Sequence, residues 1–182
     1  MKVVNSKLSG CYEIFPELFH DERGQFVKTF HSRIFEKHNL CTDFKEEYYS
    51  ISAKNVIRGL HFQLPPEDHV KLVYCTSGVA MDVVVDLRVD SITYGQHEIF
   101  ELSPAKGNSV YIPSGMAHGF YALHDNTVMI YKTSTVYAPT KDTGLRWNSV
   151  GINWPKADYV ISERDRKLVT LDDFESPFAM EF

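Results

Sequence analysis

Val79-Ala80-Met81-Asp82-Val83-Val84-Val85-Asp86-Leu87-Arg88 alternates from end to end. Val79, Met81, Val83, Val85 and Leu87 share one side, and Ala80, Asp82, Val84, Asp86 and Arg88 share the other. A period of two marks a β-strand, because successive Cβ atoms leave an extended chain on opposite faces. Ser77-Gly78 just before it reads as a turn, and residues 70–74 as the preceding strand. Downstream, residues 110–112, 120–123 and 128–133 read as strands, parted by Pro113-Ser114-Gly115 and His124-Asp125-Asn126. Short strands with Gly, Pro and Asn turns between them predict an all-β, antiparallel sandwich or barrel with a few short helices, not a βαβ fold.

Upstream the pattern is weaker. His20-Asp21-Glu22-Arg23-Gly24 reads as a turn. Residues 25–30 then alternate, with Phe26, Lys28 and Phe30 on one face and Val27 and Thr29 on the other. Residues 32–39 form the early helix candidate, with Ser32 as its cap and Ile34, Phe35 and His38 as its stripe. After Trp154-Pro155 the tail is expected to be helical or irregular, and Ser162-Glu163-Arg164-Asp165 has the form of a capping box. With no repeat, low-complexity tract or flexible linker, residues 1–182 are expected to form one domain.

The 182 residues carry a net charge of −5, which argues against a general nucleic-acid footprint. No apolar run approaches the roughly 18 residues a membrane-spanning helix needs, and residues 1–5 lack the apolar core of a signal peptide. The expectation is a cytoplasmic protein with no membrane partner. Cys11, Cys41 and Cys75 are odd in number and far apart, so they are expected to be reduced thiols.

The chemistry concentrates in Arg58-Gly59-Leu60-His61-Phe62-Gln63 and the nearby Lys71. A guanidinium offers a fork of donors to phosphate oxygens. An imidazole exchanges protons near neutrality. A fixed ammonium can face a developing oxyanion. Together they suggest a phosphorylated ligand and a proton transfer. Each residue also has a plainer reading: His61 as a core imidazole, Lys71 as a surface lysine, Tyr131 as ordinary core, Arg23 as a solvated turn charge, and Asp165 as part of a helix cap.

Gly107, Pro113, Gly115 and His118 have the spacing G-x5-P-x-G-x2-H. This resembles the second motif of the cupins, which are jelly-roll barrels, although Ala122 stands where that motif has Asn. Lys71 stands where the first cupin motif has a metal-binding Glu, and one His of that motif is absent. An ammonium repels a divalent cation, so no metal is expected. Arg58-Gly59-Leu60-His61-Phe62-Gln63, Asp82-Val83-Val84-Val85-Asp86-Leu87-Arg88, Thr93-Tyr94-Gly95-Gln96, Ile112-Pro113-Ser114-Gly115-Met116-Ala117-His118-Gly119-Phe120 and Asn153-Trp154-Pro155 are similar to the dTDP-4-dehydrorhamnose 3,5-epimerase family. The resemblance runs from about residue 19 to 165. It implies a cupin-like jelly roll without metal or other cofactor. It also implies a homodimer that exchanges N-terminal strands, and a nucleotide-diphosphate sugar substrate with a 4-keto-6-deoxy sugar, used in deoxysugar synthesis for surface polysaccharide.

By the same resemblance, His61 is the base, Asp165 its partner, Tyr131 the acid on the far sugar face, and Lys71 the cation at the C4 oxygen. Arg23 and Arg58 hold the diphosphate. His118 and Phe120 line the pocket, and Phe19, Phe26 and Tyr137 lie near the nucleotide or sugar. Three positions depart from the thymidine-linked pattern: Lys28 replaces a Glu near the base, and Glu46 and Tyr48 replace a Gln and an Asn on the nucleotide side. An ammonium donates where a carboxylate accepts, and cytosine N3 accepts where thymine N3–H donates. A C5 epimerase of a CDP-linked 4-keto-3,6-dideoxy sugar is therefore a second expectation. A 3,4-ketoisomerase and a non-catalytic sugar-binding cupin stay open as further readings.

Overall fold

The computed structural model describes residues 1–179. In chain order the strands are β1 (Lys2–Asn5), β2 (Tyr12–Phe15), β3 (Leu18–Asp21), β4 (Gly24–Val27), β5 (Glu46–Ser52), β6 (Ile57–Gln63), β7 (Lys71–Ser77), β8 (Ala80–Asp86), β9 (His97–Leu102), β10 (Ser109–Ile112), β11 (Met116–Ala122), β12 (Thr127–Thr133) and β13 (Asp142–Gly144). The helices are α1 (Ser32–Lys37) and α2 (Glu163–Arg166). One sheet has the order β1-β2-β10-β7-β12-β5 and the other β13-β6-β11-β8-β9. The strand ladders among the described residues are antiparallel, and from β5 to β8 and again from β9 to β13 each strand crosses to the other sheet, as in a jelly roll.

Apolar side chains from both sheets fill the space between them. Val73, Val110, Ile112 and Met129 come from one sheet, and Val84, Phe100, Leu102 and Phe120 from the other. The alternating strand quoted first is buried on both faces. Val83, Val85 and Leu87 turn outward, where Val150, Ile152 and Phe178 of the C-terminal segment cover them. Asp82 and Asp86 share the opposite side of the strand, and each has a cationic or titratable partner. Phe174 and Phe178 pack edge-on against Phe62 at 5.2 and 5.6 Å, so the tail braces β6 from behind.

Several local expectations need correction: β11 begins at Met116 and not at Phe120, and His20, Asp21 and Gly24 of the expected turn belong to β3 and β4. Helix α1 ends at Lys37, its N-cap is His31 without a side-chain bond, and Ser32 is its first residue. His38 is exposed, and the buried contact is Phe35, which packs with Leu40, Leu72 and Tyr111. Strand β4 stops at Val27 and does not run on to Phe30. Phe30 leaves the alternation because Phe35 and Phe44 offer it edge-to-face contacts at 4.9 and 5.7 Å. The hairpin β3–β4 turns over Glu22 and Arg23, and among the described residues its two strands pair only with each other.

Candidate active site

Arg58 and His61 are three residues apart, so a regular strand would send them to opposite faces. Strand β6 is not regular there. Its pairing with β11 shifts register between His118 and Phe120. Gly59 has φ +135°, and a Cβ on it would lie 2.6 Å from the Gly119 Cα. Only glycine allows that approach. The irregularity lets Arg58, His61, His118 and Phe120 line one cavity of about 190 Å³ with Tyr48, Ser50, Lys71 and Tyr131. His61 belongs to one sheet, whereas Lys71 and Tyr131 belong to the other. The imidazole therefore meets the ammonium and the phenol across the gap between the sheets. A second cavity of about 320 Å³ shares Tyr48, His61 and Lys71 and adds Glu46, Gln63, His69, Tyr137, Asp142 and Arg164.

His61 donates Nε2–H to Asp165 Oδ1 at 2.8 Å. A carboxylate only accepts, so this bond leaves Nδ1 with the free lone pair. Asp165 is 4% exposed, and its Oδ2 also accepts from the Gly59 amide at 3.2 Å. Burial alone would raise its pKa. The bonds and charge from His61, with the Gly59 amide, outweigh that and hold it below the usual carboxylate range. The capping question resolves into a division of labour. Ser162 Oγ accepts from the Asp165 amide at 3.0 Å and caps α2, while the Asp165 carboxylate goes to His61.

Lys71 is 6% exposed, so the outward-facing reading is excluded. Its Nζ donates to the His61 carbonyl at 3.0 Å. Burial pulls its pKa down to about 8, against the pull of Asp142 and Asp82. Tyr131 is 7% exposed. Burial pushes its phenol well above the usual value, so it stays protonated. Its hydroxyl lies 3.1 Å from Ser50 Oγ. His118 bonds Asp82 Oδ2 through Nε2 at 2.6 Å, forming a second imidazole–carboxylate pair. Arg58 is held by Ser52 Oγ at 3.0 Å and the Ile51 carbonyl at 3.2 Å.

The remaining expected residues divide. Glu46 Oε2 accepts from the Tyr137 amide at 2.7 Å, which fixes that residue at the cavity edge. Phe19, Arg23, Phe26 and Lys28 line none of the three cavities that contain His61. Phe19 and Phe26 are 55% and 61% exposed on the hairpin, and Arg23 pairs with Asp21 beside them. Sequence reasoning missed Ser50, Asp142 and Arg164. Arg164 Nη2 lies 2.7 Å from Asp142 Oδ2, and Arg164 also borders a third cavity with Arg58, His61 and Asp165. Its position beside Asp165, in a segment already read as a helix start, was the available signal. Among the described residues no group of three or more His, Cys, Asp or Glu stands close enough to hold a metal, and no helix is long and apolar enough to cross a membrane.

The dTDP-4-dehydrorhamnose 3,5-epimerase family model matches residues 5–173. The chain is 40% identical over 170 residues to the dTDP-4-dehydrorhamnose 3,5-epimerase of Methanothermobacter thermautotrophicus, covering 91% of each chain. It is 38% identical over 178 residues to the enzyme of that name from Escherichia coli, covering 95% of this chain and 96% of that one. Among solved structures it resembles a dTDP-6-deoxy-D-glucose-3,5-epimerase from Legionella pneumophila in complex with dTDP-4-keto-L-rhamnose. The TM-score is 0.93 at 31% identity, with 99% of both chains covered. A dTDP-4-dehydrorhamnose 3,5-epimerase from Bacillus anthracis with TDP and PPi bound superposes with a TM-score of 0.89 at 34% identity, covering 93% of this chain and 98% of that one. Fold and relatives together define the class, a cupin-like jelly-roll isomerase. Within it the chain belongs to the dTDP-4-dehydrorhamnose 3,5-epimerase family.

Proposed function

We propose that this chain inverts C3 and C5 of a dTDP-linked 4-keto-6-deoxyhexose. One observation carries the reading: His61, bonded to Asp165 on one side, shares a cavity with Lys71, whose ammonium donates to the His61 carbonyl. A hydrogen beside a ketone is removed when the resulting enolate is stabilised. Lys71 supplies that stabilisation at the C4 oxygen. His61 takes the proton through Nδ1, and Asp165 fixes its tautomer and supports the imidazolium. The Tyr131 phenol, protonated and on the facing sheet, returns a proton to the other side of the carbon. Arg58 takes a phosphate of the diphosphate, with Arg164 beside it.

The working unit in this reading is a homodimer. Strands β1 and β2 already complete the chain's own sheet, so the segment free to exchange is the β3–β4 hairpin. Exposed Phe19 and Phe26 with Arg23 and Lys28 then serve the nucleotide end of the partner's site. The outer strand β5, with Tyr49 and Ile51 exposed, offers an unpaired edge for that contact.

Incubation with dTDP- and CDP-linked 4-keto sugars in deuterated water tests the reading. Deuterium at C3 and C5 of the dTDP sugar, with the ketone still at C4, is the expected result. A ketone moved to C3 would mark a ketoisomerase, and faster exchange into the CDP-linked sugar would reassign the nucleotide.

A further inference from the structure

Tyr131 is held from one side by strand β5. In the β5–β12 ladder Tyr48 stands directly opposite Tyr131. Their rings stack at 4.8 Å with 16° between planes. Ser50, two residues along the same face, reaches the Tyr131 hydroxyl at 3.1 Å. The His118 ring meets Tyr131 edge-on at 6.0 Å. The phenol thus has a stacked ring beside it and one hydroxyl partner at its tip, both carried by the outermost strand of the sheet. Tyr48 also borders the two cavities that contain both His61 and Lys71, so its ring is part of the wall between them.

We infer that Tyr48 and Ser50 are positioning residues that set how the enolate partitions between inversion and return. This rests on the proposed function. After His61 Nδ1 takes the proton, the C–H electron pair resides in the enolate. Two fates compete. The phenol gives its proton to the opposite face, inverting the carbon and leaving a phenolate that regains a proton from water. Otherwise the imidazolium gives a proton back to the face it came from, and the original configuration survives. Placement of the phenol oxygen decides between them, because proton transfer falls steeply when the donor is misplaced by about 1 Å. The ring stack fixes the plane of Tyr131 and the Ser50 hydroxyl fixes its tip, yet neither acts on the carbon itself.

Stereochemistry of deuterium uptake from deuterated water separates the two fates. The readout is the ratio of deuterated sugar with its original configuration to deuterated, inverted product, early in turnover. Tyr48→Ala and Ser50→Ala are expected to raise that ratio about tenfold, whatever the change in total exchange. Tyr48→Phe keeps the stack and Ser50→Thr keeps the hydroxyl, so both are expected to stay near the parent ratio. Tyr131→Phe sets the upper limit of the scale. A ratio unmoved in both alanine variants, or exchange and inversion falling together, overturns the inference. Ser50→Ala is a small change and serves alone if Tyr48→Ala does not fold. A parent enzyme that exchanges no deuterium into any candidate sugar instead refutes the proposed function.

Discussion

Asp165 lies 104 residues beyond His61 in the chain, and its carboxylate still accepts the imidazole Nε2–H at 2.8 Å. The same residue's amide is capped by Ser162, so the two duties can be separated by mutation. Asp165→Asn offers His61 a competing amide and upsets its tautomer. A fall in kcat of about 10²–10⁴-fold is expected in a coupled epimerase assay. Ser162→Ala removes only the cap. It should lower stability by about 1 kcal/mol in urea unfolding and leave kcat within about threefold. Equal losses of kcat in both variants would mean that the placement of α2, and not the carboxylate itself, governs activity.

His61→Asn removes the base while keeping a polar side chain. Deuterium exchange should drop by about 10²–10⁴-fold. Affinity for dTDP, measured by calorimetry, should change less than about threefold. Intact exchange would make the chain a binder of sugars with no need of a base.

Lys71 gives a pH dependence of definite sign. Burial holds its folded pKa near 8, below the ordinary lysine value of 10.5. As pH rises through about 8 the ammonium is lost, and kcat/KM should fall with it. Stability runs the other way. Between about pH 8 and 10.5 the unfolded chain binds more protons than the folded one, so this group's contribution to stability rises with pH across that window. Lys71→Met should flatten that rise and raise the melting temperature at pH 7, while lowering kcat about 10²–10³-fold. An unchanged alkaline limb in the variant's residual activity would remove Lys71 as its source.

The proposed exchange of the β3–β4 hairpin is tested by mixing two variants. Arg23→Ala and His61→Asn each damage a different part of the proposed composite site. Refolded together, they should form mixed dimers in which one site draws both intact residues, and activity should recover well above the sum of the separate variants. Without exchange, Arg23 and His61 would serve one chain, and mixing would recover nothing.

The central sheets were legible because their strands alternate and their turns carry Gly, Pro or Asn. The alternating stretch placed β8 to within two residues at each end. It did not reveal that both faces are covered, because the cover comes from Val150, Ile152 and Phe178, far along the chain. Helix α1 was misread at both ends because Ser32 suits a cap and also tolerates a first turn. His61 and Lys71 stood out by residue type, and their meeting across two sheets could be checked only in three dimensions. Asp165 came from resemblance, since no local spacing links it to His61. Asp142 and Ser50 carry no local signature at all. Their importance comes from Arg164 and Tyr131, which reach them from elsewhere in the fold.

The order of synthesis adds a constraint. The carboxylate that orients the imidazole emerges 104 residues after His61, and the two phenylalanines that brace Phe62 follow it. A nascent chain can therefore assemble most of both sheets before its proton-transfer pair exists. The proposed chemistry waits until synthesis has passed Asp165, and a product truncated ahead of that residue is expected to show no deuterium exchange.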